Sequence, residues 1–148
     1  MFDVRNLPVH VEVRIDADGE VWPIEVNPMR FGGWCTTADL TRHAFGVNPY
    51  ACFFGRERPD WDAAFGHARD AVFAIVALGN STGIEGGGVR SFDHERLLTH
   101  FECPLELRKT DFRRYPIFGF VFTKTYAENL AELDWALQSD LREFVTRD

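Results

Sequence analysis

Two short runs of alternating apolar and polar residues stand near the start of the chain. Residues 9–15 read VHVEVRI and residues 20–27 read EVWPIEVN, with the segment DADG between them. Alternation with a period of two is typical of strands that bury one face, and Asp-Gly between two such runs is a strong hairpin signal. We therefore predict an antiparallel hairpin whose buried face carries Trp22, Ile24 and Val26.

The register of this hairpin decides which polar side chains meet. A loop at residues 18–19 places Glu12 opposite Glu25 and His10 opposite Asn27. A four-residue loop would instead make the two glutamates diagonal neighbours on the same face. In the first register the apolar pairs are Val11 with Val26, Val13 with Ile24, and Ile15 with Trp22.

Two glutamates that face each other across a sheet repel, at a cost of up to about 1 kcal/mol when they are exposed. A divalent cation would offset this repulsion, and two carboxylates with an amide carbonyl are oxygen ligands that Mg²⁺ accepts. Glu12, Glu25 and Asn27 are therefore candidate metal ligands. The pattern also fits a solvated strand face on which His10 or Arg14 neutralises the glutamates.

The segment after the second strand is the candidate phosphate-binding part. Arg30 could donate a charge-assisted fork to phosphate oxygens. Gly32 and Gly33 would let the backbone approach a ligand closely or adopt a positive φ. An ordinary loop, started by an Asn-Pro turn, explains the same residues without a ligand.

The next part of the chain predicts short helices and a connector. Thr36 is the expected N-cap of a helix that Gly46 ends. Residues 49–69 are expected to form a connector across the surface, in which Asp60 caps a further short helix. We accordingly divide the chain into a hairpin and helix at residues 1–48, this connector, and a C-terminal α+β extension at residues 70–148, expected to form one compact unit with the first part.

The C-terminal half predicts strand, loop, helix, two strands and a closing helix. Phe118, Phe120 and Phe122 are expected to share one strand face. A capping box of Thr125 with Glu128 is expected to start the closing helix. Strands linked by short turns favour an antiparallel α+β fold over a doubly wound parallel sheet. The predicted apolar stripe of the closing helix consists of Leu130, Leu133, Leu137, Leu141 and Phe144.

Composition narrows the class of protein. The 148 residues are 45% hydrophobic, which predicts a packed core, and the formal charge of −7 argues against nucleic acid as a partner. No apolar run approaches the roughly 20 residues of a membrane span, and residues 1–8 do not resemble a signal peptide. Three isolated cysteines favour neither a disulfide framework nor a zinc site. We expect a cytoplasmic protein with no membrane partner.

Two further motifs are candidate functional sites. The segment GNSTGIEGGGVR at residues 79–90 lacks the Gly-Lys-Ser/Thr ending of a P-loop, so we interpret it as a flexible loop. Cys35 is expected at a helix N-terminus and could act as a thiol nucleophile, although no His–acid partner is identifiable.

The hairpin residues resemble the C-terminal part of the ATP-grasp superfamily. The resemblance covers roughly residues 5–48 and is carried by Glu12 in VEVRID, the turn DADG, and Glu25 with Asn27 in IEVNP. It implies that these three side chains bind the Mg²⁺ (or Mn²⁺) ions that bridge the phosphates of the substrate ATP. Many members have Arg two residues after the Asn, whereas this chain has Met29 there and Arg30 one place later.

The resemblance also implies a function and a missing part. The phosphate-binding lysines, adenine-contacting strand and glycine loop of ATP-grasp enzymes precede the hairpin, so we expect this chain to be a C-terminal fragment of an ATP-dependent carboxylate–amine or carboxylate–thiol ligase, inactive alone. Its expected partners are the N-terminal part of the same polypeptide and a small carboxylate substrate, with a homodimer possible. The alternative is a non-catalytic binding or dimerisation module.

Overall fold

The first part of the chain contains a β-hairpin followed by short helices. A computed structural model describes residues 5–148, with the exception of the His67 side chain. The contacts within the chain group into two units, one ending at Phe65 and one running from Gly66 to Asp148. The elements of the first unit are β1 (Val9–Ile15), β2 (Val21–Pro28), α1 (Thr36–Phe45), α2 (Pro49–Gly55) and the start of α3 (Trp61–Ala68).

The hairpin forms as predicted, but its register changes along its length. β1 and β2 are antiparallel, with Glu12 opposite Glu25 and Val11 opposite Val26. The pairing then shifts between Glu12 and Val13, which leaves Ile24 as an extra residue of β2, as in a β-bulge. Beyond the shift the observed partners are Val13 with Pro23, Arg14 with Trp22, and Ile15 with Val21. The expected pairs Val13–Ile24 and Ile15–Trp22 are therefore wrong.

The turn that joins the two strands has five residues, so both predicted loop lengths are wrong. This different turn length accounts for the shift in register. The strands end at Ile15 and resume at Val21. The Asp16 carboxylate accepts hydrogen bonds from the backbone N–H of Asp18 and of Glu20, both at 3.0 Å. It also accepts one from the Trp22 indole at 2.8 Å, which holds that side chain at the turn.

The apolar side chains of the hairpin are exposed, which contradicts the expectation of a buried face. Trp22, Ile24 and Val26 are 59%, 67% and 60% exposed. We define the apolar face by its six members, each between 46% and 65% exposed: Val9, Val11, Val13, Ile15, Val21 and Val26.

Two helix starts differ from the sequence expectations. Thr36 is not an N-cap: Cys35 holds that position with φ 59°, and the Thr36 hydroxyl donates to the Gly33 carbonyl at 2.8 Å. Asn48 caps α2 by accepting from Tyr50 N at 3.0 Å, so the predicted connector begins with a helix. Asp60 does cap α3, through a 3.1 Å bond from Ala63 N, and Gly46 ends α1 in a left-handed conformation.

The second unit is an antiparallel α+β arrangement, so the predicted fold class is confirmed. A three-stranded sheet has the order β3-β6-β5, and a separate ribbon pairs β4 with β7; both sheets are antiparallel. Among the described residues, the helices are all too short or too polar to span a bilayer. The elements are β3 (Val72–Gly79), β4 (Val89–Phe92), α4 (His94–Leu98), β5 (Pro104–Lys109), β6 (Ile117–Thr125), α5 (Ala131–Gln138) and β7 (Val145–Arg147).

A nine-member apolar cluster forms the core of this unit. Phe118 and Val121 of β6 belong to it and are fully buried, while Phe120 and Phe122 are buried outside it. The register of β3 with β6 shifts between Ala77 and Gly79, and such a shift turns side chains to the other face. The prediction that the three phenylalanines share one face is therefore wrong. The other cluster members are Leu78, Val89, Phe92, Leu97, Phe101, Leu141 and Phe144.

The closing helix is shorter than predicted. Thr125 lies in β6 and is fully buried, with its hydroxyl donating to the Asn129 carbonyl at 3.2 Å, so it forms no capping box. α5 ends at Gln138, and Leu141 and Phe144 are buried in a following 3₁₀ turn. Leu137, expected in the apolar stripe, is 85% exposed.

Candidate functional site

One face of the hairpin collects the polar side chains that the sequence singled out. We define the acidic face as His10, Glu12, Glu25 and Asn27, which form two neighbouring cross-strand pairs. Opposite residues of an antiparallel pair have Cβ atoms about 5 Å apart, so the two glutamate side chains start close together. The β-bulge follows these pairs and leaves their register as predicted.

Two polar atoms of the acidic face have no hydrogen-bond partner among residues 5–148. They are Nδ1 of His10 and Nδ2 of Asn27, and both are buried. His10 Nδ1 lies 3.7 Å from Glu12 Oε1, which is too long for a hydrogen bond but within ion-pair distance when the imidazole is protonated. Glu12 and Glu25 themselves are exposed. The Asn27 amide nitrogen is therefore a buried, unpartnered donor beside the two carboxylates.

The donor chemistry of this face fits a hard divalent cation. Two carboxylates and one amide on adjacent pairs can supply three oxygen ligands, and Mg²⁺ usually takes its remaining ligands from water and phosphate. Within residues 5–148, no group of three or more His, Cys, Asp or Glu side chains is placed so that it could hold a metal ion.

The glycine pair lies directly beside the acidic face. Gly32 is buried with φ 102°, and a Cβ atom there would approach Thr37 Oγ1 to 2.4 Å and His10 Cδ2 to 3.4 Å. Only glycine fits both the conformation and the space. Gly33 has room for a Cβ, whose nearest neighbour would be Arg30 Nη2 at 3.6 Å. The exposed Arg30 guanidinium therefore lies beside this loop.

Backbone strain is concentrated in the same segment. Met29, Trp34 and Cys35 have φ values of 63°, 54° and 59°, although none of them is glycine. Such conformations cost about 1–3 kcal/mol each and are commonly found at ligand-binding sites. Sequence reasoning missed this feature, because neither Met nor Trp signals a left-handed conformation.

The Asp16 carboxylate is the most perturbed acid of the hairpin. The Trp22 indole bond, followed by the backbone bond from Glu20, lowers the pKa of Asp16 below its usual value of 3.8. Asp16 fixes the turn and faces neither Glu12 nor Glu25 as a cross-strand partner. Its role is structural.

Comparison with known proteins finds a family match for the segment that contains the hairpin. Residues 1–38 match the family model described as ATP-grasp domain. The resemblance to the ATP-grasp superfamily, a class of ATP-dependent ligases that use ATP and Mg²⁺, is thereby confirmed for this segment. No curated protein and no solved structure matches the chain. The match ends within α1, so it includes the acidic face, Arg30 and the glycine pair.

Proposed function

We propose that the hairpin provides the Mg²⁺ and ATP-phosphate ligands of an ATP-dependent carboxylate–amine or carboxylate–thiol ligase. Glu12, Glu25 and Asn27 would hold the metal, which would neutralise charge on the transferring phosphoryl group. Arg30 would contact phosphate oxygens beside the glycine pair. The observation that carries the proposal is the pairing of Glu12 with Glu25 next to Asn27, within the ATP-grasp match.

The remaining part of an ATP-grasp domain is the proposed partner of the hairpin. The exposed apolar face supports this, because contiguous apolar surface usually marks a contact region. Within the described residues of the first unit, the buried hydrophobic side chains are Ala38, Ala44 and Ala64 alone. Alanines bury little apolar area, so further contacts would stabilise this unit.

A Mg²⁺ titration followed by backbone amide NMR tests the metal site. We expect saturable shifts at Glu12, Glu25 and Asn27, and their loss in Glu25→Gln. Glu20→Gln is a matched control, because Glu20 lies in the turn and outside the acidic face. Equal shifts in both variants, or none in the unmodified chain, would refute the site.

The isolated chain is expected to show no measurable ATPase activity, because the proposal assigns the rest of the nucleotide site to the remaining part of an ATP-grasp domain. An ADP-release assay with Mg²⁺ checks this expectation. Robust metal-dependent ADP production that disappears in Glu25→Gln would contradict it.

A non-catalytic binding or dimerisation module is the second candidate. The observation in its favour is the same apolar face, which a partner could cover without any metal. The Mg²⁺ titration separates the two candidates, since a module predicts an acidic face that does not respond to the ion.

A further inference from the structure

A polar cavity lies in the second unit, outside the ATP-grasp match. It has a volume of about 490 Å³, within the range of small-molecule sites. One wall is the loop from Asn80 to Gly86, and the other is the turn from Phe112 to Pro116. The glycine-rich segment that sequence analysis treated as a flexible loop therefore lines a cavity.

The loop wall is held by its own side chains. Asn80 donates from Nδ2 to the Ile84 carbonyl at 2.8 Å and accepts the Thr82 hydroxyl at 2.6 Å. Thr82 is buried, and its oxygen also accepts the Ile84 N–H at 3.2 Å. These bonds fix the cavity rim before any ligand arrives.

A close backbone contact joins the two walls. A Cβ atom at Gly86 would lie 2.2 Å from the Phe112 carbonyl oxygen and 2.9 Å from Arg113 Cα. A side chain at this position would therefore separate the loop from the turn. Glycine at position 86 is required for the cavity to keep its shape.

Two arginines line the cavity without acid partners. Arg113 lies over the Phe112 ring and Arg114 over the Tyr115 ring, each at 5.3 Å from the ring centroid. Neither guanidinium forms an ion pair with any described residue, whereas Arg96, Arg108 and Arg142 do.

The local charge balance favours an anion. The nearby Asp111 carboxylate accepts the Arg113 backbone N–H and so caps the turn. Glu85 is the only acid among the lining residues, so two cations face one anion in a chain of net charge −7. Stacked guanidinium groups with free donors match the geometry of phosphate oxygens.

We propose that this cavity binds a small organic phosphate, with the phosphate group between Arg113 and Arg114 and the organic part against Ile84, Tyr115 and Pro116. This inference goes beyond the proposed function, because it concerns residues outside the ATP-grasp match and requires no Mg²⁺. A phosphate monoester carries the second negative charge that two guanidinium groups can use, which a monocarboxylate lacks.

Titration of the full chain with phenyl phosphate in the absence of Mg²⁺, followed by amide NMR, tests the proposal. We expect saturable shifts in residues 83–86 and 112–116, and an affinity at least about tenfold lower in the double variant Arg113→Gln/Arg114→Gln, as expected for loss of two charge-assisted bonds. Arg142→Gln is the matched control, because it removes one exposed guanidinium from the same unit and should bind normally.

Three further measurements complete the test. Benzoate has the same ring with a carboxylate, and inorganic phosphate has no organic part; both should bind more weakly than phenyl phosphate. Gly86→Ala should also weaken binding, while leaving the amide spectrum of β5 and β6 unchanged. Benzoate binding as tight as phenyl phosphate, equal binding by the double variant, or no saturable shift would overturn the proposal.

Discussion

At the residue scale, Asp16 is the group whose charge matters most for the hairpin turn. Its carboxylate joins two backbone N–H groups to the Trp22 indole. A carboxylate whose folded-state pKa is lowered stabilises the fold above its unfolded pKa and loses that contribution as pH falls through the folded pKa. The turn should therefore loosen only in acid.

We predict that the NMR chemical shift of the Trp22 indole proton changes with pH, with a midpoint below pH 3.8. The reason is that the indole donates to the Asp16 carboxylate, and this hydrogen bond lowers the pKa of Asp16. An NMR pH titration measures the midpoint. Asp16→Asn should remove the transition, whereas Asp18→Asn should retain it. A midpoint at or above 3.8 would contradict the assignment.

Gly32 is the second residue with a sharp structural requirement. We predict that Gly32→Ala lowers the free energy of unfolding by about 1–3 kcal/mol, because the residue would carry both a positive φ and a clash with Thr37. Gly33→Ala is the matched control and should change it by less than about 0.5 kcal/mol. Urea denaturation of both variants decides the matter, and similar losses would show that the Gly32 conformation is not limiting.

At the element scale, β6 is the central strand of the second unit. It pairs with β3 on one side and β5 on the other, and its inner residues are buried. Phe118 stacks on Phe92 with ring centroids 4.2 Å apart. The strand therefore joins the sheet to the apolar cluster.

We predict that Phe118→Ala lowers the free energy of unfolding by about 3–5 kcal/mol, the usual range when a buried phenylalanine is truncated. Leu137→Ala, at the exposed end of α5, should cost no more than about 0.5 kcal/mol. Thermal unfolding followed by circular dichroism compares the two. A large loss at Leu137 would mean that another surface covers it.

At the scale of the whole molecule, the two units differ in how much apolar surface they bury. The described core of the second unit includes large side chains such as Phe118, Phe122 and Leu97, whereas that of the first consists of alanines. Since burial of apolar area is the main stabilising term, the first unit should be the less stable of the two.

Hydrogen exchange tests this difference. Amides of β1 and β2 are predicted to exchange at least about tenfold faster than those of β6, because they open without breaking a large core. Native-state exchange monitored by NMR gives both rates under one condition. If the amides of β1 and β2 exchanged as slowly as those of β6, the hairpin would be stabilised by contacts that the burial of its side chains does not reveal.

Turn chemistry and alternation act locally, so the hairpin, the Glu12–Glu25 pair and the antiparallel α+β class could be predicted from the sequence. The caps at Asp60 and Gly46 follow from local bonding in the same way. The Asn48–Pro49 signal for α2 was also present in the sequence, although we interpreted that segment as a connector.

Only the tertiary structure decided which apolar faces are covered and which loops meet. Three features depend on what packs against each element. They are the exposure of Val26 and Ile24, the register shift that separates Phe118 from Phe120, and the end of α5 at Gln138. The cavity at Arg113 likewise requires contact between segments about 30 residues apart, which local patterns do not encode. Alternation shows that a strand has an apolar side, but burial of that side needs a second surface.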